Sequence, residues 1–103
     1  ISTDMCSCCQ PAAQLRPHIV WFGEMPQGLD IIYYHLAHAD LFIAIGTSGN
    51  VYPAASFVEE ANYAGADSIE INLNVSEIQS HFTQVLRGKA TTLVPQLVKS
   101  LLV

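Results

Sequence analysis

Leu41-Phe42-Ile43-Ala44-Ile45-Gly46-Thr47-Ser48-Gly49-Asn50-Val51-Tyr52-Pro53 is the stretch whose reading decides the fold. Its five apolar residues lie between Asp40 and Gly46. That is too short for an ordinary helix and suits a strand buried on both faces, as in a parallel sheet. Gly, Thr, Ser, Gly and Asn then turn the chain, and Pro53 is suited to the first turn of a helix. In an open α/β sheet, a strand–loop–helix unit of this kind sets the loop's N–H groups and hydroxyls at the carboxyl edge, where ligands bind.

Working outward, Pro17-His18-Ile19-Val20-Trp21-Phe22 predicts a strand ended by Gly23, and Trp21 and Phe22 are read as core aromatics. Leu29, Ile32, Tyr33, Leu36 and Ala37 recur at helical spacing, with Asp30 favourably placed in the first turn and His35 and His38 on the polar side. The helix after the loop runs to about Ala64, burying Ala54, Phe57, Val58 and Ala61, and Gly65 supplies a left-handed stop. Ser68-Ile69-Glu70-Ile71-Asn72-Leu73 predicts a third strand. Ser76 and Gln79 match a capping box, 82–86 leans to a short strand, and Thr91 or Thr92 caps a last helix with Pro95 in its first turn. The expected fold class is α/β: a β-α-β-α-β unit of parallel strands with flanking helices and right-handed crossovers over residues 17–103, preceded by an irregular 1–16.

Half of the 103 residues are hydrophobic and 13% are charged, against about 25% in ordinary soluble domains. An excess of this kind implies a surface that expects cover, from another subunit or from a further part of the same protein. Residue 1 is Ile, not Met, so the chain is read as a piece of something longer. No apolar run approaches the roughly 20 residues of a membrane helix. With a net charge of −5 and Arg16, Arg87, Lys89 and Lys99 scattered, there is no basic stripe for nucleic acid. The three cysteines are odd in number and lie within four positions, which argues against a secreted disulfide framework and points to the cytoplasm.

Three constellations carry possible chemistry. Cys6 and Cys9 form a C-x-x-C pair, one half of a tetrahedral zinc site; the plain alternative is unrelated thiols. Gly46-Thr47-Ser48-Gly49 raises a serine nucleophile, with Asp67 and His81 following. The elbow G-x-S-x-G would need glycine where Asn50 stands, so a capped turn competes with it. Asn72 closes the third strand at the edge where an acidic residue often reads a nucleotide ribose, and an amide can replace it. On residues alone, a free-standing α/β nucleotide-binding or interaction module also stays open.

In this order, several segments resemble the C-terminal half of a sirtuin, an NAD-dependent protein deacylase of the bacterial type. They are Cys6 and Cys9; Leu15-Arg16-Pro17-His18-Ile19-Val20-Trp21-Phe22-Gly23-Glu24; Ala39 through Ser48; Val51-Tyr52-Pro53-Ala54-Ala55; Ile71-Asn72-Leu73; and Arg87-Gly88-Lys89-Ala90. The resemblance implies that Gly46, Thr47 and Ser48 contact the adenosine side of NAD, that Asn72, Leu73 and Asn74 read a ribose, and that Ala90 lies beside the adenine. It places an acyl-lysine peptide, as an added strand, between the Val20-to-Glu24 stretch (Val20, Phe22, Gly23, Glu24) and the stretch holding Gly49 and Val51. Cys6 and Cys9 become the second half of a structural zinc site, with 1–16 the C-terminal part of a small zinc-binding module and 17–103 the C-terminal half of a Rossmann-like NAD-binding domain.

Asn74 departs from a position often acidic in relatives, and Gly49-Asn50 from a leucine-containing pair. Implied for the whole enzyme are attack of the acyl oxygen on the nicotinamide ribose, release of nicotinamide and transfer of the acyl group to the sugar. The catalytic His, phosphate loop and first C-x-x-C are expected upstream of Ile1; no catalytic residue is assigned here, and the chain is expected to be inactive alone and to self-associate.

Overall fold

A computed structural model describes residues 4–102. Helix α1 spans Leu29–His38 and strand β1 Leu41–Ile45; a 3₁₀ turn over Ala54–Ser56 leads into α2, Phe57–Tyr63. Strand β2 covers Asp67–Asn72, a second 3₁₀ turn Gln79–His81, β3 Gln84–Arg87 and α3 Ala90–Leu101. The strands form one parallel sheet in the order β1-β2-β3. Ile43 sits beside Ile69, and Ala44, Glu70 and Val85 lie side by side across the sheet.

The two faces of β1 differ. Phe42 and Ala44 face α2, where Ala55, Val58, Ile78 and Phe82 close one core and Leu36, Ala61 and Ala66 another. Phe42 is shared by both cores and stacks on Phe82 at 6.4 Å. The opposite face carries Ile43 and Ile45, 36% and 48% exposed, although Ile69 and Ile71 beside them on β2 are buried. The strand expected to be covered on both sides is therefore covered on one. A parallel sheet normally has both faces covered, so this bare face explains the apolar excess of the composition.

The expected strand at 17–22 does not form. The chain there makes short local turns, with the Ile19 N–H donating to the Pro17 carbonyl and the Glu24 N–H to the Trp21 carbonyl. A strand exists through its neighbour, and β1, at the sheet edge, pairs only with β2 among the described residues. Trp21 and Phe22 are not core: they are 64% and 92% exposed. The third strand of the sheet is instead β3, where the pattern at 82–86 already leaned to strand. A Cα radius of gyration of 17.6 Å, against about 13 Å for a compact 100-residue domain, reflects an amino-terminal segment that lies off the core.

Helix ends follow local chemistry with three exceptions. Gly65, at φ 96°, ends α2 as expected: its N–H donates to the Asn62 carbonyl and the Ala66 N–H to the Ala61 carbonyl, the paired bonds of a Schellman stop. Ala55 is buried in place of Ala54, because the first turn after Pro53 is 3₁₀ and rotates the face. Ser76 does not cap; its hydroxyl donates to the Glu70 carboxylate instead. Neither Thr91 nor Thr92 caps α3, which begins at Ala90 with Lys89 at its N-cap and carries Pro95 inside it.

Candidate functional site

The end of β1 and the end of β2 are tied together beyond the strands proper. The Gly46 N–H donates to the Ile71 carbonyl at 2.9 Å, and the Gly88 N–H donates to the Asn72 carbonyl at 3.2 Å. Gly46, Asn72 and Gly88 thus leave the sheet side by side at its carboxyl edge. The loop after Gly46 folds on its own hydroxyls: Thr47 Oγ1 accepts from the Gly49 N–H at 3.2 Å and Ser48 Oγ from the Asn50 N–H at 3.4 Å. Asn72 then joins the two segments, its Nδ2 donating to the Thr47 carbonyl at 2.6 Å and its Oδ1 accepting from the Asn74 N–H at 3.4 Å.

Two clefts open on this edge. One, of about 440 Å³, is lined by Gly46, Ile71, Asn72, Leu73, Gly88, Lys89, Ala90 and Thr91, the last two being the first residues of α3. Its neighbour, of about 270 Å³, is lined by Gly46, Thr47, Ser48, Asn50, Asn72, Asn74, Val75 and Glu77. All seven cofactor-side residues named from sequence, Gly46, Thr47, Ser48, Asn72, Leu73, Asn74 and Ala90, therefore line one or both clefts. Lys89 and Thr91 line the first cleft as well; a sequence reading that starts the last helix at Thr91 or Thr92 sets its first turn too late to bring them to this edge.

A third cleft, of about 190 Å³, brings Val20, Trp21, Phe22, Gly23 and Glu24 opposite Val51 and Tyr52. The two sequence-distant stretches expected to flank a peptide do face each other, and exposed Trp21, Phe22 and Tyr52 give the cleft an aromatic character. Glu24 fixes its floor: one carboxylate oxygen accepts from the Trp21 N–H at 2.8 Å, and Arg16 approaches at 3.3 Å. Those contacts, the Trp21 N–H first, hold the Glu24 carboxyl below its ordinary value. Gly49 is not in this cleft; it is buried beneath Ile78.

Ser48, Asp67 and His81 do not assemble into a hydrolase triad. Asp67 begins β2 beside Leu41, at the amino end of the sheet, whereas Ser48 follows the carboxyl end of β1. His81 lies 3.2 Å from Glu59 on the surface. Ser48 and Asp67 thus stand at opposite ends of the sheet, and Asn50 occupies the place of the elbow's second glycine.

At the amino end, Met5 bridges Gln14 antiparallel, and the Cys6 N–H donates to the Ala13 carbonyl. This small hairpin brings the sulfurs of Cys6, Cys8 and Cys9 within 4.8 Å of one another, with Cys8 and Cys9 3.8 Å apart. Tetrahedral thiolates on zinc, at Zn–S of about 2.3 Å, stand about 3.8 Å apart, so the cluster suits a soft cation. Sequence reasoning chose Cys6 and Cys9; Cys8 joins them in space. The Ala13 N–H, 3.2 Å from Cys6 Sγ, is the main cause that lowers the Cys6 thiol from 9.0 to about 7; the Cys9 thiol contributes next, while Cys9 itself is raised. Because the folded chain favours the thiolate, alkylation of Cys6 in the metal-free chain is expected to rise with pH through about 7, well below Cys9. Iodoacetamide labelling read by peptide mass spectrometry checks this, and equal rates at Cys6 and Cys9 would count against it.

The fold and its edge define a class: an α/β protein with clefts at the carboxyl ends of parallel strands, preceded in the chain by a hairpin of clustered cysteines. Residues 1–53 match the Sir2 family, and the chain belongs to that family. It is 56% identical over 99 residues to an NAD-dependent protein deacylase of Escherichia coli (strain K12), covering 96% of this chain and 36% of that protein. A solved Sir2 homologue–NAD complex superposes with a TM-score of 0.80 at 35% identity, over 95% of this chain and 39% of that one. A Sir2 protein bound to a myristoylated histone peptide superposes with a TM-score of 0.73 at 33% identity, over 78% of this chain and 35% of that one. The chain thus spans well under half the length of these relatives.

Proposed function

We propose that this chain is the NAD- and peptide-contacting part of an NAD-dependent protein-lysine deacylase. The observation that carries the reading is the convergence of Gly46–Ser48, Asn72–Asn74 and Ala90 on adjoining clefts at one sheet edge. The cleft between Val20–Glu24 and Val51–Tyr52 lies on the same loop system. NAD, when bound, supplies a ribose carbon open to attack and a nicotinamide leaving group. The chain's own residues hold the rest of it. Backbone N–H groups and hydroxyls of Thr47 and Ser48 and the amides of Asn72 and Asn74 offer donors and acceptors to sugar hydroxyls, and Leu73 and Ala90 offer apolar surface to a base. An acyl-lysine peptide laid between residues 20–24 and 49–51 would draw affinity from main-chain hydrogen bonds, which tolerates varied side chains. Residues 1–16 serve in this reading as a structural zinc segment through Cys6 and Cys9, residues 17–103 as the nucleotide domain, in a reducing, cytoplasmic setting.

No residue of this chain is assigned as general base. With NAD and an acyl-lysine peptide, the isolated chain is expected to show no turnover. Robust turnover that survives both His18→Ala and His81→Ala would place the catalytic machinery elsewhere in the chain and overturn that part of the reading. Binding is tested separately, by titrating ADP-ribose into the chain and following amide shifts at 46–48, 72–74 and 90 by NMR. Shifts confined to those residues support the proposal, and none at millimolar ligand sinks it.

The bare β1 face also bears on partners. Ile43, Ile45 and the β1 edge, unpaired among the described residues, would be covered by the remaining part of the same protein; without it, the isolated chain is expected to self-associate through them. Sedimentation velocity at high concentration reads this directly, and a monodisperse monomer would refute it.

A further inference from the structure

Glu70 is the least expected residue of the core. It lies in the central strand between Ala44 and Val85 and is wholly inaccessible to solvent. Burying a carboxylate is costly unless it is paired. Its Oε2 accepts from the Ser76 hydroxyl, but Oε1 has no hydrogen-bond partner, and the cation beside it is Arg87 Nη2 at 3.6 Å. The same guanidinium holds three further acceptors. Nη1 donates to the Asn72 carbonyl at 3.2 Å and to the Asn74 carbonyl, and Nη2 donates to Gln79 Oε1.

The two carbonyls that meet at Arg87 belong to the turn where β2 leaves the sheet. Converging carbonyl oxygens repel each other, and a planar cation with several fixed donors can hold both at once. The same turn presents the Asn72 side chain, which reaches the Thr47 carbonyl at 2.6 Å. A continuous path therefore runs from a buried carboxylate, through one guanidinium, to both sides of the nucleotide-sized clefts.

We propose that Arg87 is a positioning residue for the nucleotide site: braced on the buried Glu70, it fixes the 72–74 turn and, through Asn72, the Thr47 carbonyl opposite. The inference rests on the nucleotide-binding reading above. Arg87 touches no ligand in this scheme; it lines none of the three clefts described. Its role is to keep the sugar-facing amides and carbonyls in place before a ligand arrives, so that no ordering cost falls on binding.

The test is an NMR titration of the chain with ADP-ribose, using wild type, Arg87→Ala, Arg87→Lys and Glu70→Gln, at a temperature where circular dichroism shows each variant folded. Arg87→Ala is expected to weaken ADP-ribose at least about tenfold, with shift changes in the free chain concentrated at 46–48 and 72–74. Arg87→Lys, a point charge without the fork, and Glu70→Gln, which removes the brace's charge, should fall between it and wild type. Glu59→Gln, which breaks only the surface pair with His81, should bind like wild type. A merely structural role would lower the melting midpoint and spread shifts over all three strands while leaving the affinity of the folded protein unchanged; that result overturns the proposal. If Arg87→Ala does not fold, Arg87→Lys and Glu70→Gln decide it, and wild-type affinity in both overturns it. Should wild type itself take up no ADP-ribose, the nucleotide reading fails and the brace falls with it; wild-type binding with unaffected variants fails the brace alone.

Discussion

Replacing Gly49 with alanine is expected to cost about 3 kcal/mol of folding stability, the sum of a left-handed backbone penalty and overpacking. Gly49 has φ 76°, a region in which a side chain is strained. A Cβ placed there would stand 2.7 Å from Ile78 Cγ1 and 3.2 Å from the Ile78 backbone nitrogen. Ile78 is 5% exposed and packs in the core with Ala55, Val58 and Phe82, so its side chain cannot swing away without opening that core. Nor can its backbone retreat freely, because the neighbouring Glu77 N–H is bonded to the Ser48 carbonyl at 3.1 Å. Gly46→Ala is the matched control: φ is 68° but nothing lies within 4 Å, so only the conformational cost of about 1 kcal/mol applies. Urea midpoints of the two variants measure the difference. Equal losses would show that Ile78 yields and that the loop is not held from below.

Asn72→Ala is expected to reduce ADP-ribose affinity at least about tenfold while costing only about 1–2 kcal/mol of stability, the usual range for lost side-chain hydrogen bonds. One amide carries a link across the site, to the Thr47 carbonyl at 2.6 Å, and one within its own turn, from the Asn74 N–H at 3.4 Å. Alanine removes both, so the 46–48 loop and the 72–74 turn lose their mutual reference, together with the ribose contact proposed above for Asn72. Asn72→Asp is the sharper variant. It keeps the acceptor for Asn74 but sets a carboxylate against the Thr47 carbonyl, and should bind no better than alanine. Calorimetry or NMR titration reads both, and wild-type affinity in Asn72→Ala would remove Asn72 from the site.

Much of the site was legible because strand–loop–helix units repeat one geometry. Leu41–Ile45 followed by Gly46-Thr47-Ser48, and Ser68–Asn72, carry their assignment in short apolar runs closed by polar residues, and both end at the edge that the topology requires. Gly65 was equally readable, since a helix stop is a local event of a few backbone bonds. The 17–22 segment was misread for the opposite reason. Its pattern is that of a strand, but pairing is supplied by a neighbour, and pattern alone contains no neighbour. Ser76 misled in the same way. It has the spacing of a capping residue, but the turn that follows begins only at Gln79 with Ile78 at its N-cap, and the Ser76 hydroxyl turns inward to the buried Glu70 carboxylate.

By itself the sequence determined the parallel α/β class, the carboxyl-edge loop at Gly46–Ser48, its companion at Asn72–Asn74 and the sirtuin resemblance. These depend on periodicity, turn chemistry and motif order, all encoded over a few neighbouring residues. Only the tertiary structure decided that Gly49 is a packing glycine under Ile78, that Cys8 joins Cys6 and Cys9, and that one face of β1 stands bare. It alone set Arg87, on β3, against both Glu70 and the Asn72–Asn74 turn at the end of β2. Such contacts arise from close packing and the pairing of buried charge, which act through space and leave no period in the sequence.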